Sequence, residues 1–234
     1  MRNSKTIFFW QLAVIEFIME ANIIFILIGI YLFSTPICAQ DSIKKTYYPS
    51  KKLMGEIPYS KGKQNGVVKF YYEDGKLLRE LPFTDNNANG MEKVYYKNGK
   101  LISEVQYTNG LKKGVKKEYY ESGTLKKEIS YTNDKENGIE KKYFESGKVM
   151  SEVAYTNGLQ NGIAKEYFES GKLLREIPYV DGKKSGIVKN YFENGKLKSV
   201  MPYTNGVKNG LRKEYTENGA LKDSVNYVEG KEVK

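Results

Sequence analysis

A lysine, a tyrosine two residues later and a glutamate eleven residues after the lysine recur together along this chain. The sets are Lys69, Tyr71 and Glu80; Lys93, Tyr95 and Glu104; Lys117, Tyr119 and Glu128; Lys141, Tyr143 and Glu152; Lys165, Tyr167 and Glu176. Amine, phenol and carboxylate are groups from which acid–base catalysis is assembled, but a catalyst needs unlike groups converging on one pocket. Here the same three types return every 24 residues, so each acid is one member of a row. Rows suit ion pairing, architecture or repeated contact better than they suit a single reaction centre. The next sets keep Lys189 with Tyr191, and Lys213, but carry Val200 and Ser224 where glutamate is expected.

Other chemistries are poorly provided for. From Asp41 onward the chain has neither histidine nor cysteine, which removes disulfides, thiolate nucleophiles and the usual structural zinc ligands. No Gly-x-x-x-x-Gly-Lys-Ser/Thr phosphate loop occurs. The Gly-x-x-x-Gly strings, such as Gly62 to Gly66 and Gly110 to Gly114, read as connectors. A non-enzyme with no cofactor and no metal is expected.

The elements that must position these rows are set by a second periodicity. Glycines fall at Gly66, Gly90, Gly114, Gly138, Gly162, Gly186 and Gly210, and again at Gly75, Gly99, Gly123, Gly147, Gly171, Gly195 and Gly219. A fixed period over such a distance signals a stack of small units. A degenerate first unit carries Tyr47-Tyr48, Leu53, Glu56 and Pro58-Tyr59 in phase, so eight units cover residues 42 to 233. Each holds two runs rich in Tyr, Phe, Val, Ile and Leu, separated by a dipeptide such as Asp74-Gly75 or Asn98-Gly99. Those dipeptides take the positive φ of a tight turn, so the unit is a β-hairpin. Helix is excluded because the apolar positions lack a 3.6-residue period.

With a two-residue turn at Asp74-Gly75, Lys69 opposes Glu80, Tyr72 opposes Leu77 and Gly66 opposes Phe83. The recurring Lys and Glu match supports that register, since cross-strand pairs are where sheets gain specificity. A three-residue loop with a bulge at the glycine would shift the register by one and lose the pairing. One face then carries Tyr72, Leu77, Leu81 and Phe83, and the other Val67, Tyr71 and Leu78 beside the Lys69 and Glu80 pair. The glycine opposite each aromatic leaves room for a ring over bare backbone. Connectors such as Tyr107-Thr108-Asn109-Gly110 read as a second turn. The expected fold is all-β: an elongated single curled sheet of antiparallel hairpins, roughly 75 Å long if flat. An isolated hairpin is unstable in water, so each unit depends on its neighbours.

Residues 1–39 read as a separate segment, a signal peptide or membrane anchor before the repeat domain at 40–234. Arg2 and Lys5 precede a nearly unbroken apolar run from Ile23 to Phe33, followed by Pro36, Cys38 and Ala39. Three alternatives stay open: cleavage after Ala39, an uncleaved anchor, or lipid modification of Cys38, with Met1 or Met19 as the start. Each places the body outside the cytoplasm, in the periplasm, on the outer surface or secreted. The body keeps the full net charge of +10, because Glu16 and Glu20 balance the leader's two basic residues. Such a surplus favours anionic surfaces but is screened within about 8 Å at physiological salt.

The string Gly-x-x-Lys-x-Tyr-Tyr-Glu-x-Gly-Lys-Leu-x-x-Glu-x-x-Tyr-x-x-Gly resembles the MORN-variant repeat of the bacterial toxin-antitoxin YwqK family. Lys117, Tyr119, Tyr120, Glu121, Gly123, Leu125, Glu128 and Tyr131 carry the match in one unit, and Lys189, Tyr191, Phe192, Glu193, Gly195, Lys196, Leu197 and Tyr203 in another. The resemblance implies contact with proteins or membrane lipids, and an antitoxin label that sits poorly with an exported chain. The family often has tryptophan near the unit-opening glycine, where this chain has Val67, Val115 or Ile163; its single tryptophan is Trp10. The final units, with Val200, Ser224 and Thr216 out of pattern, read as a cap or as a partner site using the unpaired lysines.

An interaction module is therefore expected, binding a protein or an anionic envelope or host-surface component along an aromatic and basic strip. The strip comprises Lys69, Lys93, Lys117, Lys141, Lys165 and Lys189 with Tyr71, Tyr95, Tyr119, Tyr143, Tyr167 and Tyr191. Packing between hairpins is the competing role for the tyrosines. Binding of anionic polymers or lipid headgroups and a purely structural spacer are the alternatives; nucleic acid conflicts with export. Membrane contact is expected through the leader if it is retained, and both monomer and dimer remain open.

Overall fold

The computed structural model describes residues 41–233, and the expectations about the leader, Cys38 and the true start lie outside them. The described residues form one open antiparallel sheet of 24 strands and contain no helix. The array opens with β1 (Ser42–Tyr47), β2 (Leu53–Ser60), β3 (Lys63–Gln64), β4 (Gly66–Tyr71) and β5 (Leu77–Thr84). The pattern of eight, two and six residues repeats to β22 (Gly210–Tyr215), and the sheet closes with β23 (Leu221–Val228) and β24 (Lys231–Val233). Hairpins follow one another in chain order, each pairing with the next.

The two-residue turn expected at the hairpin tip lies instead at the connectors. The connectors are the tight ones: Lys61-Gly62 (φ 49° and 78°) and Asn109-Gly110 (φ 50° and 83°) are two-residue turns with both residues left-handed. That is the type I′ geometry, whose twist matches its flanking strands. The hairpin tip is a three-residue loop. Tyr72 accepts from the Gly75 N–H at 2.8 Å and donates its own N–H to the Lys76 carbonyl at 2.8 Å, with Gly75 at φ +88°. In the first hairpin Lys51 adopts that left-handed conformation itself, at φ 63°.

A three-residue loop alone would have moved Lys69 off Glu80. A second irregularity compensates: Tyr71 lies opposite Leu77 and Phe70 opposite Arg79, leaving Leu78 as an extra residue on β5. Beyond that bulge the register is Lys69 with Glu80 and Gly66 with Phe83. The correction is local: Tyr71, not Tyr72, faces Leu77, so Leu77 joins the Lys69 and Glu80 side. The freed Tyr72 hydroxyl instead donates to the Tyr95 carbonyl of the next unit at 2.7 Å, as Tyr48, Tyr96 and Tyr120 do toward Tyr71, Tyr119 and Tyr143. Phe144, Phe168 and Phe192 follow at this position, so the staple is confined to the first half of the array.

The unit-opening glycine also has a different reason from the one expected. A Cβ on Gly90 (φ +137°) would sit 2.7 Å from Pro82 Cγ, and one on Gly66 (φ +111°) 3.0 Å from Pro58 Cγ. At these two positions glycine is required by backbone conformation and by close approach of the preceding unit's proline, and at Gly114 (φ +89°) by backbone conformation alone, not by an aromatic ring.

The core lies on the face carrying Val68 and Leu81. Cross-strand pairs at this level are Val68/Leu81, Glu92/Val105, Lys116/Ile129, Glu140/Val153, Ala164/Ile177 and Val188/Met201. Ala164, Ile177 and Val188 form a buried cluster with Val153, Tyr179 and Tyr203 against it. The middle units break this apolar line with charge. Glu140, 3% exposed, is held by Lys127 at 2.7 Å and Lys142 at 3.3 Å, and Glu92 binds Arg79 at 2.6 Å. Burial pulls the Lys127 ammonium down, but the hydrogen bond and charge of Glu140 outweigh it and the net shift is upward. The signal for this ladder is the sequence Val68, Glu92, Lys116, Glu140 at one unit position, answered by Arg79 and Lys127 at another.

Candidate interaction face

The opposite face is built from residues alternating with the core positions along each short strand, such as Val67, Lys69 and Tyr71 on β4. Three rows result, each crossing the sheet from unit to unit at roughly 10 Å per hairpin.

The first is the charged row. Lys69 lies opposite Glu80 within its hairpin and opposite Glu56 of the preceding one, and the alternation continues through Lys93, Glu104, Lys117, Glu128, Lys141, Glu152, Lys165, Glu176 and Lys189. Of the five pairs expected within hairpins, Lys141 and Glu152 close to 3.5 Å, and Lys189 reaches back to Glu176 at 3.8 Å. Exposed pairs of this kind contribute about 0.2–1 kcal/mol each.

The second row is the tyrosines, and it accounts for the glutamates. Tyr71 donates to Glu56 at 2.9 Å, Tyr95 to Glu80 at 2.6 Å, Tyr119 to Glu104 at 2.7 Å, Tyr143 to Glu128 at 2.5 Å, Tyr167 to Glu152 at 3.0 Å and Tyr191 to Glu176 at 2.9 Å. Burial, followed by the hydrogen bond to glutamate, pushes Tyr95, Tyr119, Tyr143 and Tyr191 up to about 12. These hydroxyls are therefore neutral donors tied to the preceding unit. The twelve residues of the aromatic and basic strip thus share one face, with every carboxylate between them engaged by a tyrosine and every lysine through Lys165 flanked by glutamates.

The third row is apolar, and its exposure is what the structure adds. Ile43, Val67, Met91, Val115, Ile139, Ile163, Ile187 and Leu211, the second residue of every unit, are all exposed, from 38% at Met91 to 60% at Ile43. Their cross-strand neighbours include Pro58, Pro82, Ala154, Pro178 and Pro202. One signal is legible in the sequence: this position stays apolar in all eight units, while the residue after it changes between charged and apolar, as at Val68, Glu92, Lys116 and Ala164.

Eight copies of one hairpin, with the same turns, bulge and rows, point to a repeat family. The model for the MORN repeat variant matches residues 40–61, 64–85, 88–109, 112–133, 136–157, 160–181, 184–205 and 208–229. The chain belongs to the MORN repeat variant family. Comparison with curated proteins finds no match. In these MORN repeats the recurring Gly, Tyr and Glu are occupied by turns, staples and the carboxylate ladder. Each MORN unit also leaves its second-position apolar side chain exposed to solvent.

Proposed function

We propose that this protein is a non-catalytic docking scaffold that works outside the cytoplasm and presents its aliphatic row to a protein partner. The carrying observation is that all eight second-position side chains are exposed on one face. Monomeric proteins seldom expose a large contiguous apolar patch without using it. A protein partner is favoured over a polyanion because the lysines through Lys165 alternate in register with glutamates, leaving little local surplus charge. MORN repeats as a family fit a binding scaffold, and the apolar leader supports export. The acids and amines recur in rows rather than in one pocket, which fits a scaffold better than an enzyme.

The test is capture of envelope and host-surface proteins by the full chain and by the triple variant Ile139→Glu, Ile163→Glu, Ile187→Glu. Capture by the native chain should survive about 1 M salt, where screening acts within about 3 Å. The variant should keep its fold and lose the captured species. Capture that disappears with salt, or that the variant retains, would refute the aliphatic row as the docking surface.

A further inference from the structure

We propose that the far end of this face holds a carboxylate-recognition site formed by Lys213 and Tyr215, and that it takes an acidic peptide segment carrying an aliphatic side chain two residues from its carboxylate. This rests on the docking function above and names the partner's chemistry.

The repeat supplies its own reference. In six successive junctions a glutamate receives the hydroxyl of the tyrosine fifteen residues later and lies opposite the lysine thirteen residues later. Glu176 is the last, with Tyr191 at 2.9 Å and Lys189 at 3.8 Å. At the seventh junction the equivalent position is Val200, which lies opposite Lys213. Within its own hairpin Lys213 faces Ser224, again where other units have glutamate. Among the described residues, Lys213 has no carboxylate within 4.0 Å and the Tyr215 hydroxyl has no hydrogen-bond partner. Valine ends at Cγ, one carbon short of where glutamate places its carboxyl carbon, so it excludes no carboxylate arriving from solvent.

Two donors held in the same backbone frame as six filled copies are therefore left with the acceptor missing. Donors stripped of solvent by a partner that offers no acceptor are costly to bury, so the partner that fits is the one supplying a carboxylate. Leu211, two residues before Lys213 on β22 and 43% exposed, lies on the same side. An extended segment places residues i and i+2 on one side about 6.6 Å apart, matching the Leu211 to Lys213 step.

The probe is a capped hexapeptide with one glutamate and a leucine two residues away, titrated into the full-length chain and followed by amide chemical shifts. A second peptide carries glutamine instead. The glutamate peptide should perturb residues around Val200, Leu211–Tyr215 and Ser224, and should bind about tenfold tighter than the glutamine peptide. Val200→Glu should fill the site from within and weaken binding by about tenfold. Because it restores the junction used six times elsewhere, it should not lower stability, so its loss of binding is separable from unfolding. Lys213→Ala with Tyr215→Phe should weaken binding similarly, whereas Lys117→Ala, at a filled junction, should leave it unchanged. Equal binding of both peptides, or undiminished binding by Val200→Glu, overturns the carboxylate site while leaving the aliphatic docking face standing. Failure of both peptides overturns the site and counts against the face. Displacement of the peptide by inorganic phosphate more readily than by acetate would overturn the acidic-peptide assignment in favour of a polyanion.

Discussion

Replacing Glu140 probes how charge and packing share the core face. The residue is 3% exposed and lies opposite Val153 across the hairpin, with its carboxylate bound by Lys127 and Lys142. Removing one member of a buried ion pair costs about 3–5 kcal/mol, mainly by stranding the other charge. Here the lysine side chains keep 23% and 49% of their exposure. Both ammonium groups can therefore turn to water on their apolar stems, and Glu140→Ala should cost about 2 kcal/mol. Glu140→Val places an aliphatic group where Val68 and Val188 stand in other units, and should recover about 1 kcal/mol of that through apolar burial. Adding Lys127→Ser, the residue other units carry at 103, 151 and 199, should bring stability back near the native value, a coupling of about 1–2 kcal/mol. Urea unfolding should show a midpoint lowered by about 1 M for Glu140→Ala. Because repeat arrays need not unfold in one step, amide exchange should show the loss concentrated in the units flanking residue 140. An unchanged midpoint for Glu140→Ala, or a double variant less stable than Glu140→Val alone, would refute the assignment of Glu140 as a charge held by its lysines.

Three further outcomes are expected. Spectrophotometric titration should show Tyr95, Tyr119, Tyr143 and Tyr191 ionising late, at about 12. Since their protonated forms are favoured in the folded state, their contribution to stability is complete below the ordinary tyrosine value and is lost as pH climbs toward 12; a stability profile flat over that range would contradict it. Gly90→Ala should destabilise more than Gly114→Ala, because a Cβ at Gly90 meets Pro82 at 2.7 Å whereas one at Gly114 meets nothing within 4 Å; equal melting losses would remove proline contact as the reason. Tyr96→Phe, which imports the residue used at 144, 168 and 192, should cost about 1 kcal/mol in unfolding by deleting the staple to the Tyr119 carbonyl.

The hairpin, its period and its alternation of lysine with glutamate were legible because they depend on local turn chemistry and on residues a fixed number of positions apart. The tip loop differs from the sequence expectation for an equally physical reason. Asp-Gly serves both a two-residue turn and the end of a three-residue loop, and the choice depends on a bulge at Leu78 that no local residue announces. The tyrosines were visible as a row, but their acceptors lie in the preceding unit, fifteen residues back.

Chain order and composition alone therefore established an all-β array of eight hairpins and the membership of its rows, since strand alternation and turn preference are local properties. Which row faces water, which carboxylates are consumed and where one is missing were set by stacking unit upon unit. Burial and hydrogen-bond satisfaction belong to neighbouring copies together, and no single repeat contains that information.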